Sequence, residues 1–90
     1  MRTWEQLENE LNFTEEEKQL IAIEEEIIEA MINIREEKGL TQKELAERSN
    51  LKQPTIARME KGNHSPQLDT LLKVLVPMGY TLEVVPLDNA

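Results

Sequence analysis

The side chains of this chain that are best suited to chemistry lie between residues 42 and 63. They combine amide, hydroxyl, guanidinium and ammonium groups, which are the groups that contact base edges and phosphates. The set is Gln42, Lys43, Lys52, Gln53, Pro54, Thr55, Arg58, Lys61 and Asn63. We expect Gln53, Thr55 and Arg58 to read base edges. We expect Gln42, Lys43 and Asn63 to hold phosphates, so that the partner is double-stranded DNA.

Two other groups of residues could in principle do acid–base or metal chemistry. Glutamates fill positions 15–17 and 24–26, but adjacent residues on a helix point to different faces and do not converge on one proton or one metal. A solvated face or an acidic docking surface is the better interpretation. His64 is the only histidine, and the chain has no cysteine. We therefore predict no catalytic residue, no metal and no cofactor, and a protein that is not an enzyme.

Two short helices must position the polar set. Thr41 is a good N-cap, and Glu44 three residues later completes a capping box. Asn50 ends this first helix because, after glycine, asparagine best tolerates the left-handed region. The second helix is predicted over residues 53–60 and closes at Gly62. The pair is a predicted helix-turn-helix.

These residues carry a resemblance to the lambda-repressor and Xre-like DNA-binding family. The motifs are T-Q-x-E-L-A, then L-K-Q-x-T-I-x-R-x-E-x-G, followed by S-P-x-x-x-T-L-L-K, and the match spans roughly residues 28–78. The resemblance implies that Arg35 and Glu60 form a structural ion pair. The chain departs from the family in having Asn50 where glycine is usual.

The flanks make the whole chain similar to HigA-type antitoxins, through the acidic two-helix leader and the closing YTLEVVPL. That resemblance implies a protein that neutralises a cognate RNA-cleaving, HigB-like toxin and represses its own operon. Two alternatives stay open. One is a plain Xre-like repressor, and the other is a protein-interaction adaptor that has lost DNA binding.

The net charge of −8 is unevenly distributed along the chain. Residues 1–34 carry ten glutamates against Arg2 and Lys18, which gives −8, whereas residues 35–63 carry seven basic against five acidic residues, which gives +2. Residues 64–90 sum to −2. DNA phosphates would repel the acidic leader, so it should point away from the duplex and suit a basic protein partner.

The leader is predicted to form a short helix over residues 4–11 and, over residues 15–38, one long helix or two joined by a slight bend, capped by Thr14 with Glu17. In this second part, Ile27 or Ile28, together with Met31 and Ile34, should face the core. Apolar residues beyond that stripe either dock the toxin or are covered by the first helix. The predicted toxin-binding set is Trp4, Leu7, Leu11, Phe13, Glu15, Glu16, Leu20, Ile21 and Ile23.

The C-terminal part is predicted to contain a helix over residues 67–78, whose stripe of Leu68, Leu71, Leu72 and Leu75 closes the core. Residues 80–85 alternate apolar and polar, which is typical of a strand. No second strand is predicted, so this strand should pair with the same strand of another copy or with an edge of the partner's sheet. The alternative is an extended tail that lies over the helices. The predicted dimerisation residues are Tyr80, Leu82, Val84 and Val85.

The predicted fold class is all-α: an Xre-like helix-turn-helix domain with an N-terminal helical extension and one short C-terminal strand. The divisions are residues 1–26, an acidic helical extension; residues 27–79, the DNA-binding domain; and residues 80–90, the strand and tail. Ninety residues can bury only a modest core, which favours a homodimer. The absence of cysteine, of a signal-peptide pattern and of a long apolar run predicts a cytoplasmic protein without a membrane segment.

Overall fold

A computed structural model describes residues 13–62 and 65–87. In this part of the chain four α-helices follow one another: α1 (Glu15–Glu37), α2 (Gln42–Ser49), α3 (Gln53–Lys61) and α4 (Leu68–Leu75). A short 3-10 turn, Val76–Met78, continues α4. None of the described helices is both long enough and apolar enough to cross a membrane. The helix predicted over residues 4–11 lies outside the described residues, as do Asn63 and His64.

Both predicted capping boxes are confirmed. The backbone N–H of Glu17 donates to Thr14 Oγ1 over 3.1 Å, and the backbone N–H of Thr14 donates back to Glu17 Oε1 over 3.2 Å. Thr41 and Glu44 form the same reciprocal pair at the start of α2, with both distances at 3.0 Å. These hydrogen bonds from Thr41 hold the pKa of the Glu44 carboxyl below its ordinary value. The two boxes fix where α1 and α2 begin.

The corner between α2 and α3 depends on the conformation of Asn50. Its φ of 57° and ψ of 38° place it in the left-handed region, as predicted, and its backbone N–H bonds the carbonyls of Ala46 and Glu47. The next residue, Leu51, packs against the core and donates its backbone N–H to Ala46 O. The chain can therefore turn and start α3 after only three intervening residues, 50–52.

The core lies where α2, α3 and α4 meet the C-terminal half of α1. Side chains from all four helices are almost completely buried there: Met31, Leu45, Ile56, Met59 and Val74. In α1 only Ile28 and Met31 are buried, and no residue between 13 and 27 is. Leu20, with 58% of its surface exposed, and Ile23, with 36%, extend beyond the core.

The stripe predicted for the last helix was partly wrong. Leu71 and Leu75 are buried as expected, but Leu68 is 63% exposed, and Val74 and Met78 are buried instead. The core face is thus offset around the helix from the one that the leucines suggested. The α-helix also ends at Leu75 and not at Met78, because Pro77 has no N–H to continue the helical hydrogen bonds and the chain tightens into a 3-10 turn.

The predicted C-terminal strand was wrong for the described residues, since none of residues 80–87 forms one. After Gly79, whose φ of 90° turns the chain, the Tyr80 N–H bonds Leu75 O and Leu82 packs against the core. A strand needs a neighbour to satisfy its backbone, and the four described helices of this chain offer no strand edge. Within this segment Leu82 packs against the core of its own chain, whereas residues 83–87 are exposed.

Candidate nucleic-acid interface

The first residues of α2 and α3 lie side by side at one end of the molecule. Gln42 opens α2, Gln53 opens α3, and Gln53 Nε2 donates a hydrogen bond to Gln42 Oε1 over 3.0 Å. The bond uses one of the two Nε2 hydrogens of Gln53, so the other hydrogen and Oε1 remain for a ligand. A side-chain amide with one donor and one acceptor available can pair with adenine through N6 and N7.

The amide of Gln42 is itself held from behind by Glu60. Gln42 Nε2 donates to Glu60 Oε1 over 2.9 Å. The same carboxylate accepts two hydrogen bonds from Arg35, from Nε to Oε2 over 2.7 Å and from an Nη to Oε1 over 3.0 Å. A second Nη of Arg35 donates to the carbonyl of Leu40 over 2.8 Å. A continuous chain of bonds thus runs from α1 through Glu60 and Gln42 to Gln53.

The Arg35–Glu60 contact is a bidentate ion pair with little exposure to solvent. The side chain of Arg35 is 15% exposed and that of Glu60 is 8% exposed. The hydrogen bonds to Glu60 raise the pKa of Arg35 above its ordinary value, even though partial burial acts in the opposite direction. Because both groups are charged and screened from water, the geometry is strongly favoured once the helices are packed.

The other polar residues of the set lie around this chain of bonds. On α3, Pro54, Arg58 and Lys61 are exposed and Thr55 is half-buried. Lys43 is exposed at the start of α2, beside an open concave surface that Arg35, Thr41, Gln42 and Gln53 also line. Asn63 lies outside the described residues.

The start of α3 has no side-chain cap. Its N-cap residue is Lys52, whose side chain makes no capping hydrogen bond, and Pro54 stands in the first turn. The N-terminal end of a helix carries a partial positive charge and attracts anions, and Lys52 adds a full positive charge beside it. This end of α3 therefore suits a phosphate group.

The sequence alone did not reveal the bond from Gln42 to Glu60 or that from Gln53 to Gln42. Eighteen and eleven residues separate these partners, so helical spacing gives no signal for them. The sequence contained two weaker signals for these bonds. One was the predicted ion pair of Glu60 with Arg35, and the other was the glutamine at the first position of each helix.

The predicted toxin-binding residues that the structure describes lie on the N-terminal half of α1. Glu15, Glu16 and Leu20 are exposed, and Phe13 and Ile21 are half-buried. Ile23 is exposed as well. The remaining members of that set, Trp4, Leu7 and Leu11, lie outside the described residues.

The predicted dimerisation residues do not share one face. Val84 is fully exposed and Val85 and Tyr80 are 66% and 45% exposed, but Leu82 packs against the core of its own chain. Leu68 and Val76 of the preceding helical segment add further exposed apolar surface. No cluster of three metal-ligating side chains occurs within residues 13–62 and 65–87.

Comparison with known proteins gives three results. A family model described as helix-turn-helix matches residues 31–85. An HTH-type transcriptional regulator of Haemophilus influenzae is 45% identical over 84 residues, which are 93% of this chain and 85% of the relative. A solved structure described as a toxin-antitoxin module from Streptococcus pneumoniae is 48% identical, covers 97% of this chain and 96% of its own, and superposes with a TM-score of 0.70.

Proposed function

Because the chain belongs to the helix-turn-helix family of transcriptional regulators, we propose that it is the DNA-binding antitoxin of a toxin–antitoxin pair and represses its own operon. It acts by binding and carries out no catalysis. The observation that carries the DNA-binding part is the chain of hydrogen bonds from Arg35 to Gln53, which presents oriented amides at the start of α2 and α3. The structural likeness to a toxin-antitoxin module supports the second part.

In the complex with operator DNA, α3 enters the major groove. Gln53, Thr55 and Arg58 read base edges, and Gln42, Lys43 and Asn63 hold phosphates on either side. Lys52, Pro54 and Lys61 flank them and add contacts to the backbone. Charge supports this arrangement, because α3 has three basic residues within or beside it and only one acidic residue, Glu60, which already pairs with Arg35.

Two single substitutions test these roles against DNA from upstream of the gene. Arg58→Ala should cost about 1–3 kcal/mol of binding free energy at the preferred site and relax the preference at one base pair. Lys43→Ala should weaken binding to all sequences alike and reduce the slope of log K against log salt by about one. Fluorescence anisotropy with operator and scrambled duplexes at several salt concentrations distinguishes them. Unchanged operator preference in Arg58→Ala would show that the base-reading assignment is wrong.

The antitoxin activity is assigned to the acidic leader, residues 1–26. Its described part exposes apolar side chains, Leu20 and Ile23, among glutamates, and the domain core leaves both uncovered. Apolar anchors supply affinity, and surrounding charges mainly speed encounter and reject wrong partners. We propose as partner a small basic protein of the RNA-cleaving, HigB-like type.

The test is co-expression with the product of the neighbouring gene. The full chain should form a stable complex with it and restore growth. A chain lacking residues 1–24 should still bind operator DNA but leave the toxin active, whereas a chain lacking residues 88–90 serves as the matched truncation and should protect as well as the full chain. Normal protection by the chain without residues 1–24 would place the site elsewhere.

A homodimer is the third part of the proposal. Operators of this kind contain two half-sites, and each would take one copy of α3. The two copies of α3 fit them only if they are held roughly 34 Å apart, and a single chain has one α3. Residues 68–87 carry Asp69, Lys73 and Glu83 and are nearly neutral, and their exposed apolar residues include Leu68, Val76 and Val84. A second copy can approach this face with little electrostatic repulsion. Sedimentation of a chain truncated after Gly79 tests it: a dimer that persists at micromolar concentration would refute the role of the tail.

A further inference from the structure

A groove of about 480 Å³ lies between α1 and the C-terminal end of α3 with the start of the next segment. Three isoleucines of α1 contribute apolar lining: Ile21, Ile28 and Ile32. Carboxylates of the same helix stand beside them: Glu24, Glu25 and Glu29. Its opposite wall includes the end of α3 and the start of the next segment: Lys61, Gly62, Ser65 and Pro66. Its volume lies within the range of about 300–1,000 Å³ that is usual for ligand pockets.

The charge and the apolar lining of this groove indicate which kind of side chain it suits. Three exposed carboxylates face one ammonium, that of Lys61, and Glu60, which also lines the groove, is paired with Arg35. The local excess of negative charge repels another copy of this acidic chain and attracts a cation. An apolar lining beside carboxylates suits a side chain with a long aliphatic stem and a charged head.

One of these carboxylates is already oriented. Ser65 Oγ donates a hydrogen bond to Glu24 Oε2, so the two walls of the groove are joined at this point. A carboxylate has more lone pairs than this bond uses, and its other oxygen can accept from a planar guanidinium. Arginine fits better than lysine, because its fork can bond two carboxylate oxygens at once and its weaker hydration favours partly buried sites.

We infer that this groove binds an arginine side chain of the toxin. The inference rests on the proposed antitoxin function and extends the toxin-binding surface from Leu20 and Ile23 across α1 to the groove. The wall that contains Lys61 includes the C-terminal end of α3. A toxin arginine in the groove would therefore lie beside the end of the helix that is proposed to bind DNA.

The first experiment uses the full chain and propylguanidinium, the side-chain analogue of arginine, in a titration followed by ¹⁵N–¹H NMR. The groove variant is Glu25→Gln with Glu29→Gln. The matched control is Glu36→Gln with Glu37→Gln, which changes the net charge equally on the same helix but outside both the groove and the leader. We expect saturable, millimolar binding with shifts at Ile21, Ile28 and Gly62. The groove variant should weaken it at least fivefold and the control less than twofold.

Three results would overturn the inference. Equal weakening in both variants would mean nonspecific screening of an acidic helix. Absence of saturable shifts would mean that the groove does not recognise a guanidinium. Nuclear Overhauser contacts from residues 1–12, or from another copy, to the Ile28 methyl groups would mean that the chain itself occupies the groove.

The second experiment measures dissociation of the toxin, encoded by the neighbouring gene, from the same variants. The groove variant should dissociate at least fivefold faster than wild type, and the control should match wild type. If the wild-type chain binds the toxin and the groove variant holds it equally well, the groove assignment fails and the antitoxin function stands. If the wild-type chain binds no such protein although propylguanidinium still binds, the proposed function fails.

Discussion

The two halves of α1 belong to one uninterrupted helix but have opposite environments. The C-terminal half contributes Ile28 and Met31 to the core and is bonded to α3 through Arg35. The N-terminal half has no buried residue, carries most of the glutamates and exposes Leu20 and Ile23. The capping box at Thr14 nevertheless gives this half a defined start.

This contrast separates what the fold needs from what a partner would need. A helix half with no buried residue gains little stability from packing, so its exposed apolar residues contribute little to the domain itself. Their presence on a regular, capped helix favours a role in binding. The following predictions measure the difference between the halves, and each uses a pair of matched changes.

The largest difference should separate Met31→Ala from Leu20→Ala. Met31 is fully buried and Leu20 is 58% exposed. Loss of a buried methionine leaves a cavity and should lower the free energy of unfolding by about 2–5 kcal/mol, whereas Leu20→Ala should change it by less than about 0.5 kcal/mol. Urea denaturation at 25 °C measures both. Equal losses would show that the N-terminal half is packed after all.

The next largest difference in stability should separate substitutions of the two cations of α1, Arg35 and Lys18. Arg35→Ala leaves Glu60 nearly buried without its partner and should cost about 3 kcal/mol, with a further loss of operator preference as Gln42 and Gln53 lose their support. Lys18→Ala removes an ion pair with Glu15, whose Nζ–Oε1 distance is 3.7 Å and whose carboxylate is exposed, and should cost under about 0.5 kcal/mol. Arg35→Ala with Glu60→Ala should be milder than Arg35→Ala alone. A wild-type melting temperature for Arg35→Ala would contradict the structural role of the pair.

Substitution of the exposed apolar residues of α1 should change toxin binding but not the stability of the fold. Leu20→Ser with Ile23→Ser should leave the free energy of unfolding within about 0.5 kcal/mol of wild type but weaken the toxin complex by about 1–2 kcal/mol. Neutralising Glu15, Glu16 and Glu17 should instead slow association and reduce its salt dependence. Stopped-flow and surface-plasmon measurements resolve the two rates. Unchanged dissociation in the Leu20 and Ile23 variant would remove these residues from the toxin surface.

The smallest effect compares the two capping threonines. Thr41→Ala should cost about 1 kcal/mol of global stability, because α2 lies in the core, whereas Thr14→Ala should only speed hydrogen exchange in the first turn of α1. Since the pKa of Glu44 is lowered from an ordinary value of 4.5, its part of the box is present above that pH and lost as pH falls below it. The cost of Thr41→Ala should shrink accordingly in acid. A pH-independent cost would show that Glu44 contributes nothing.

Local signals in the sequence were sufficient for most of the backbone. The capping residues Thr14 and Thr41 and the left-handed Asn50 were predicted because such positions depend on nearby side chains and backbone torsions. The exposed Leu68 was missed because leucines at helical spacing occur on both sides of α4, and only the neighbouring helices decide which side is buried. The prediction of a strand over residues 80–85 was wrong because a strand needs a second strand to pair with, and the described part of this chain contains none.

The residue types of the candidate interface could be predicted, but the hydrogen bonds that connect them could not. Glutamine, threonine and arginine on α3 are residue types that suit contacts to DNA, and the sequence shows them directly. The hydrogen bonds from Glu60 through Gln42 to Gln53 form only when three helices meet. The groove beside α1 was missed for the same reason, because Ser65 and Glu24 are 41 residues apart. Contacts between distant segments have no periodic signature.

The hydrogen-bond chain that ends at Gln53 also has an evolutionary consequence. Replacement of Gln53 removes its hydrogen bond to Gln42, which itself bonds Glu60 of the ion pair, so we expect substitutions at position 53 to alter DNA binding and stability together. Arg58 is exposed, and none of the hydrogen bonds that link Arg35, Glu60, Gln42 and Gln53 involves it. We therefore expect regulators that diverge from a common ancestor to vary at position 58 at little structural cost and to change positions 42 and 53 together.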